Sequence, residues 1–497
     1  MHKIELDTYK QRCEQYFHAH EQMRHQLQEL LRYRFGKKSE RFVDDESLQA
    51  LLFDSPATDV EATEPTESVT VASHHRQKTP RVDKSLPTRI DIIPVSDADR
   101  QCSCGCQKTV IGYEFKTLVN YVPEVCELVE QRRERVACPQ GCEAEVITAP
   151  APLHILPKVK ATESFLAFLV TRKLDDRQPL YHLEKQLEAR HGIDVSRQTM
   201  ARWMIDLIEP LQPLFNLLKD EVIDYPIASC DATTLQVLNE PNRAATTKSQ
   251  LYCMRGGPPD KSVILYEYNA LLHKVFISDW FQGFSGYLHV DGGNCFDSLG
   301  AQADVQLSYC NAHARRKFEA VAKASKKNGL AAEALRKYKA LYKIEREAKE
   351  AELTPEQRYA RRQRDSKPLM EQFKHWLDEH WPTVLPQSPL GNAFAYAINR
   401  WEGLSRFVDD GRLEIDNNHT EREIKPVVIA RKNFLFCASV DGAKALSLHF
   451  SLLRTAKLHG HEPYRYYVRV LKSIPHCKTV ADYEALLPWN MAVNSDE

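Results

Sequence analysis

The hydrophobic pattern changes character several times along the 497 residues. Over residues 4–34, Leu27, Leu30 and Leu31 form an apolar strip, with Phe17 and Met23 above it, among Gln, Glu, His and Arg. That spacing predicts one amphipathic helix, suited to a coiled coil or to packing on the chain's own body. Residues 54–88 are Pro, Thr, Ser, Glu and Asp with few large apolar side chains, which predicts a flexible linker. Between 101 and 150, the alternating stretches "TLVNYV" and "ELVEQRRERVAC" predict strands. Residues 161–220 return to helical spacing. Within them "QPLYHLEKQLEARHGIDVSRQTMARWMIDL" reads as helix, glycine-containing turn, helix, with Ser196 as N-cap and Met200, Trp203, Met204 and Leu207 on the apolar face.

From 222 onward short apolar runs dominate. "YPIASCD" predicts a strand ending on Asp231, "SQLYCMRG" and "SVILYEY" two more, and "ALLHKVFISDWF" an amphipathic helix. "GYLHVD" predicts a fourth strand, ending on Asp291. A short helix, the strand "VQLSYC" and a helix opening at "NAHARRKFEAV" follow. The order β-β-β-α-β-α-β-α predicts a mixed sheet flanked by helices, and the fold class is multidomain α/β. Residues 320–400 are helical and charged, with basic runs such as "RKYKALYKIEREAK" and "RYARRQR". The expected divisions are an N-terminal helix (1–45), a linker (46–90), a zinc-binding domain (91–157), a helix-turn-helix-like region (158–221), the first part of a core (222–320), a helical insertion (321–410), the second part of the core (411–450) and a C-terminal region (451–497).

Composition adds little to this picture. The chain is 43% hydrophobic and 27% charged, and 67 Lys and Arg against 68 Asp and Glu leave a formal charge of −1, so net charge selects no partner. The N-terminus lacks the apolar core of a signal peptide, and the run "FLAFLV" at 165–170 is far shorter than the ~20 residues that span a bilayer. We therefore expect a soluble intracellular protein without a membrane partner, whose cysteines are reduced. Clustered cysteines then point to metal. Cys102, Cys104, Cys106, Cys138 and Cys142 stand at the ends of the predicted hairpin. Four of these five thiolates satisfy a structural Zn²⁺, with Cys104 and Cys106 competing for one place; the alternative is free thiols.

Two further features carry chemistry. Arg197, Gln198 and Arg202 project from the start of the second helix of the helix-turn-helix-like region, as recognition-helix residues do in DNA complexes; the same shape also occurs as a plain packing unit. Asp231 and Asp291 are each expected at a strand end, and "LEIDNNHTEREIKPV" (413–427) contains Glu421. Read locally, that motif is a helix start, with Asn418 as cap, Glu421 at N3 of a capping-box variant and Pro426 kinking or ending the helix. Read with the two aspartates, Glu421 completes a carboxylate cluster. Three carboxylates at one point repel one another unless cations sit among them, and carboxylate and water oxygens are what Mg²⁺ or Mn²⁺ prefers. Two such ions serve an in-line displacement at phosphorus.

The strand order with Asp231, Asp291 and Glu421 resembles the RNase H-like core of DDE transposases. More narrowly the chain resembles the IS66 family of insertion-sequence transposases, on "RFGKKSER" (34–41), the cysteine hairpin, "DAT" (231–233), "YLHVDG" (287–292), "CNAHARRKF" (310–318), "DNNHTERE" (416–423) and "ARKNFLF" (430–436). It departs from the family's pattern at "DAT", where many relatives have "DET", and at "DGGNCF", where an aromatic often follows the glycine. The resemblance implies catalytic Asp231, Asp291 and Glu421 holding two Mg²⁺ ions, binding of terminal inverted repeats, release of 3′-hydroxyls and their joining to target DNA. Double-stranded DNA and a second protomer or higher oligomer are the implied partners, with small accessory proteins of the same element, in the bacterial cytoplasm at the nucleoid. His313, Arg316 and Arg422 are expected to orient phosphate or water beside the carboxylates, and Arg431 and Lys432 to contact backbone phosphates. The competing readings are a nuclease without strand transfer and a DNA-binding regulator with an inactive core.

Overall fold

The computed structural model describes residues 126–136, 147–270, 274–324 and 329–493. The expected N-terminal helix, the linker and all five clustered cysteines lie outside them. The chain divides into two units, 37–129 and the remainder, and the description below concerns the second. Its first pairing is antiparallel, between β1 (Arg135–Val136) and β2 (Ile147–Thr148). Among the described residues no helix is long and apolar enough to cross a membrane.

Four helices follow: α1 (Glu163–Leu174), α2 (Leu180–His191), α3 (Arg197–Asp206) and α4 (Ile208–Asp224). Gly192 stops α2 in the left-handed region at φ 65°, where a Cβ is costly, and its N–H returns to Leu187 and Glu188. Ser196 caps α3 by accepting from the Thr199 N–H at 3.3 Å, as the sequence predicts. Leu169, Leu183, Leu187 and Met200 then close a small apolar cluster of their own. On α4, Leu211, Leu214, Leu218 and Val222 recur at helical spacing and are buried in the main core.

The sheet has the order β5-β4-β3-β6-β7, with β8 pairing β3 further along. Its strands are β3 (Ile227–Asn239), β4 (Lys248–Gly256), β5 (Val263–Asn269), β6 (Gly286–Val290), β7 (Val305–Tyr309) and β8 (Cys437–Ser439). β3, β4 and β5 run antiparallel in sequence, while β6, β7 and β8 join in parallel. One expectation fails here. The first strand does not end on Asp231 but continues eight residues, to Asn239. "ATTLQVLN" keeps the alternation of a strand, with Leu235 and Val237 buried, and β4 pairs with it as far as Gln236. The helix expected across "ALLHKVFISDWF" is described only as α5 (Lys274–Trp280).

β5 would be an open edge. It is covered instead by α12 (Val440–Leu458), whose hydroxyls imitate a neighbouring strand. Ile264 N–H donates to Thr455 Oγ1 at 3.1 Å, and Thr455 returns a bond to the Ile264 carbonyl at 2.9 Å. Tyr266 N–H donates to Ser451 Oγ at 2.8 Å. α12 is held in turn by buried His449, whose ring nitrogens meet the Met204 carbonyl and the Tyr467 hydroxyl.

A helical excursion separates the two halves of the sheet region. After α6 (Asn311–Ala324) come α7 (Leu330–Glu350), α8 (Pro355–Arg361), α9 (Lys367–His380) and α10 (Pro389–Asn399). Its ends are stapled by one side chain: Asn311 Nδ2 donates to the carbonyls of Leu404 (2.9 Å) and Ile415 (3.2 Å). The basic run "RYARRQR" is largely neutralised within the fold. Arg358 and Arg361 pair with Glu345 and Glu347, and Arg362 is fully buried against Glu345. Arg362 also donates to the carbonyls of Phe407 (2.7 Å) and Asp410 (2.8 Å), so it ties α7 to the returning chain. Removing it would leave the Phe407 and Asp410 carbonyls without this donor and Glu345 with Arg358 alone. Arg362→Ala is expected to cost about 3 kcal/mol, read as a lowered denaturation midpoint, and Glu345→Gln alone should cost less, because Arg362 keeps its two carbonyl acceptors.

Candidate active site

The site begins with strand register. On the parallel pair β3 and β6, Ser229 stands opposite His289. Two residues further along come Asp231, within β3, and Asp291, just past the end of β6. Neighbouring strands lie about 4.8 Å apart, so the two carboxylates leave the sheet at one level, side by side. Asp231 Oδ1 accepts the Ala232 N–H at 2.7 Å, and Asp291 Oδ1 accepts the Gly293 N–H at 2.8 Å. Beyond Asp291 the chain turns at Gly292, φ +85°, where a Cβ would come within 2.5 Å of the Tyr396 hydroxyl. That hydroxyl, from α10, donates to the Asp291 carbonyl and fixes the turn.

Glu421 arrives on α11 (Asn418–Phe434). The local reading of "DNNHTEREIKP" is corrected in two respects. The cap is Asn417, not Asn418, so Glu421 lies one place beyond N3 and makes no capping box. Asn417 is spent elsewhere. It is buried, donates its amide to the Cys230 carbonyl at 3.3 Å, and gives its N–H to Cys310 Sγ at 3.2 Å. Pro426 sits inside the helix and does not end it, because Val427 and Ala430 beyond it are buried in the core. The first turn of the helix is tied to β3 through two hydroxyls, Thr420 Oγ1 and Ser229 Oγ, 2.6 Å apart. Ser229 is two residues before Asp231, and Thr420 is next to Glu421. This bond therefore sets the third carboxylate against the first two.

Two side chains from α6 meet Glu421. Arg316 Nη2 donates to Glu421 Oε2 at 2.6 Å, and His313 Nδ1 lies 3.4 Å from Oε1. Neither His313 Nδ1 nor Glu421 Oε1 makes a hydrogen bond among the described residues. Asp231 records the crowding. Burial pushes its carboxyl up to about 7, and the charges of Asp291 and Glu421 add to the rise, while the Ala232 N–H and Arg316 oppose it. His313 is lowered, chiefly by burial, and buried His289 falls to about 4 for the same reason. Beside them, burial pushes the Cys310 thiol up to about 12. A repelling set of carboxylates with an unbonded oxygen fits hard divalent cations of the Mg²⁺ or Mn²⁺ class, which take oxygen ligands.

The other expected residues fall in two groups. Arg431 is near the carboxylates, with Nη1 at 3.4 and 3.2 Å from the hydroxyls of Thr233 and Thr234 on β3. Arg422 and Lys432 are exposed on α11. Arg197, Gln198 and Arg202 are exposed on α3, with Arg197 stacked 5.6 Å over the Tyr181 ring. No described contact joins these three to the carboxylates. Ser229, Thr420, Asn417, Cys310 and Tyr396 hold or line the cluster and were not singled out by sequence. Only the C-x-x-H spacing of Cys310 and His313 is a readable signal; the rest look like ordinary strand, cap and helix residues.

Comparison with known proteins agrees with this geometry. The family described as "Transposase IS66 family" matches residues 158–445, and the "IS66 C-terminal element" matches 451–489. A third, "Transposase C of IS166 homeodomain", matches 22–91. Among curated proteins, "Uncharacterized protein y4jD" of Sinorhizobium fredii is 32% identical over 423 residues, covering 82% of this chain and 81% of that protein. "Uncharacterized protein y4qI" of the same organism is 30% identical over 486 residues, covering 93% and 88%. With a family match over more than half its length, and a carboxylate cluster built from both halves of the matched region, this chain belongs to the IS66 transposase family.

Proposed function

We propose that the chain is a DDE transposase acting on double-stranded DNA. In this reading it binds the terminal inverted repeats of its element, hydrolyses the phosphodiester at each end and joins the freed 3′-hydroxyl to target DNA. The observation that carries it is the parallel register of β3 and β6, in which Asp231 and Asp291 each follow the Ser229–His289 pair by two residues, with Glu421 tied beside them through Thr420 and Ser229. The sheet order β5-β4-β3-β6-β7 is that of an RNase H-like core.

Asp231, Asp291 and Glu421 would hold two Mg²⁺ or Mn²⁺ ions. Bound there, the ions would lower the pKa of an attacking water or 3′-hydroxyl and stabilise the leaving oxygen. The protein supplies no nucleophile. Arg316 holds one Glu421 oxygen and leaves the other available. Arg431, beside Thr233 on the Asp231 strand, is positioned to meet a backbone phosphate, and a guanidinium suits that task. Arg197, Gln198 and Arg202 on α3 are assigned to the element ends. Pairing two ends requires at least two protomers, and residues 4–34, where the sequence predicts a helix, are the assigned contact. The small accessory proteins of the element remain further proposed partners.

The discriminating experiment supplies pre-cleaved ends and a plasmid target. A transposase yields joined product, whereas a nuclease yields only nicks and a regulator leaves all strands intact. Asp231→Ala, Asp291→Ala and Glu421→Ala should each lower cleavage and joining by on the order of a thousandfold, the several kcal/mol that a metal pair contributes, while binding to the ends persists. Cleavage that survives in Asp231→Ala refutes the metal assignment.

Metal removal gives an independent measurement. An unfolded aspartate titrates near 3.9, and Asp231 in the fold near 7, so the folded state holds the extra proton between these values. Without divalent ions the penalty is absent below about pH 4 and complete above about pH 7. Asp231→Asn is therefore expected to raise the melting temperature of the metal-free protein at neutral pH. Mg²⁺ should raise that of the wild type, by less as pH falls below about 7, because the proton competes at Asp231.

A further inference from the structure

The first turn of α6 presents a second donor set. Cys310 directly precedes the helix and His313 lies within its opening turn, so the C-x-x-H spacing turns both side chains to one side. Glu421 faces them from α11. A sulfur, a ring nitrogen and a carboxylate oxygen from these three residues all lie within 4.8 Å of one another. His313 Nδ1 and Glu421 Oε1, 3.4 Å apart, make no hydrogen bond among the described residues, although both are buried atoms. Buried polar atoms normally have partners, so an orphaned pair aimed at one point beside a thiol needs an explanation.

The geometry points to a binding site for one thiophilic divalent cation of the zinc class, formed by Cys310, His313 and Glu421 and separate from the hard-ion pair. Thiolate, imidazole and carboxylate are the three ligand types of zinc, and a fourth position is left to water. Mg²⁺ selects against this set, since it takes oxygen and sheds water reluctantly. Small side-chain rotations bring the three donors to bonding distance. Binding displaces the thiol proton of Cys310 to solvent, and the Asn417 N–H, already donating to Sγ, remains to stabilise the thiolate. Arg316 keeps Glu421 Oε2, so the site uses Oε1, away from the guanidinium.

The two metal sites share Glu421 and are mutually exclusive. A zinc-class ion on Cys310 and His313 draws Glu421 away from Asp231 and Asp291. This consequence, and only this one, rests on the proposed catalytic reading: the soft-ion site is an inhibitory one, through which trace zinc silences Mg²⁺-dependent strand cleavage.

Cobalt(II) is the probe, titrated into the full chain in excess Mg²⁺ and read by its thiolate charge-transfer absorbance. Any cobalt taken by the clustered cysteines at 102–142 is common to both proteins, so the readout is the difference between wild type and Cys310→Ser. The expected result is one cobalt equivalent with thiolate absorbance that Cys310→Ser loses and Asp291→Asn retains. His313→Gln, a second variant in case Cys310→Ser does not fold, should weaken the same equivalent by at least about tenfold. Equal cobalt spectra and stoichiometry in wild type, Cys310→Ser and His313→Gln overturn the site. In the cleavage assay, one zinc equivalent should suppress the wild type, and Cys310→Ser should need at least about tenfold more. A cobalt difference with no cleavage under any condition leaves this site standing and sinks the catalytic reading instead; cleavage by both proteins equally sensitive to zinc overturns the inhibitory role.

Discussion

Two carboxylates held abreast on neighbouring parallel strands are the constraint around which this molecule is organised. Burial of charge and like charges at that spacing both oppose folding, and burial first, with the charges of Asp291 and Glu421 added, makes Asp231 hold its proton up to about 7. A sequence could avoid the conflict by shifting one strand relative to the other. Here the shift is blocked, because Ile227, Ala228 and Ser229 pair in sequence with Tyr287, Leu288 and His289, and Ala228 and Leu288 are buried. A one-residue slip would expose the buried side chains. The apolar core thus enforces an electrostatic arrangement that the acidic groups themselves disfavour.

Short hydrogen bonds from distant parts of the chain then maintain the arrangement. Ser229 and Thr420 are 191 residues apart and join the Glu421 helix to the central strand through two hydroxyls. Tyr396, from the excursion, holds the backbone at Asp291. Asn417 anchors the turn before the helix to β3 and to Cys310. Each contact is worth about 1 kcal/mol net, yet each fixes an angle or a depth on which the cluster depends. The covering of β5 by Thr455 and Ser451 follows the same economy, since hydroxyls take the place of a missing strand.

The sequence made the main-sheet strands from 227 to 309, the helix pair around Gly192 and the three acidic positions legible, because alternation, caps and isolated acids after apolar runs are local signals; "ELVEQRRERVAC" is extended into a pairing only at Arg135–Val136. It misjudged features decided by partners. The strand through Asp231 runs on because β4 and β8 supply pairing that no local window contains. Asn417 displaces Asn418 as the cap because its amide is needed 187 residues away at Cys230. Pro426 is tolerated because the helix beyond it is buried. The neutralised arginines of "RYARRQR" looked like a basic surface only because Glu345 and Glu347 lie in the preceding helix.

The staple at Asn311 has a consequence for how such a chain can change over time. One amide closes both ends of the excursion, so the place where it leaves and returns is fixed beside the acidic cluster. Closing a loop costs entropy that grows with the logarithm of its length, about 0.6 kcal/mol per doubling. The exposed turns between its helices can therefore lengthen at small entropic cost, whereas the helices themselves are held, because Tyr338, Phe373, Trp376 and Phe394 are packed into the core that also carries the sheet.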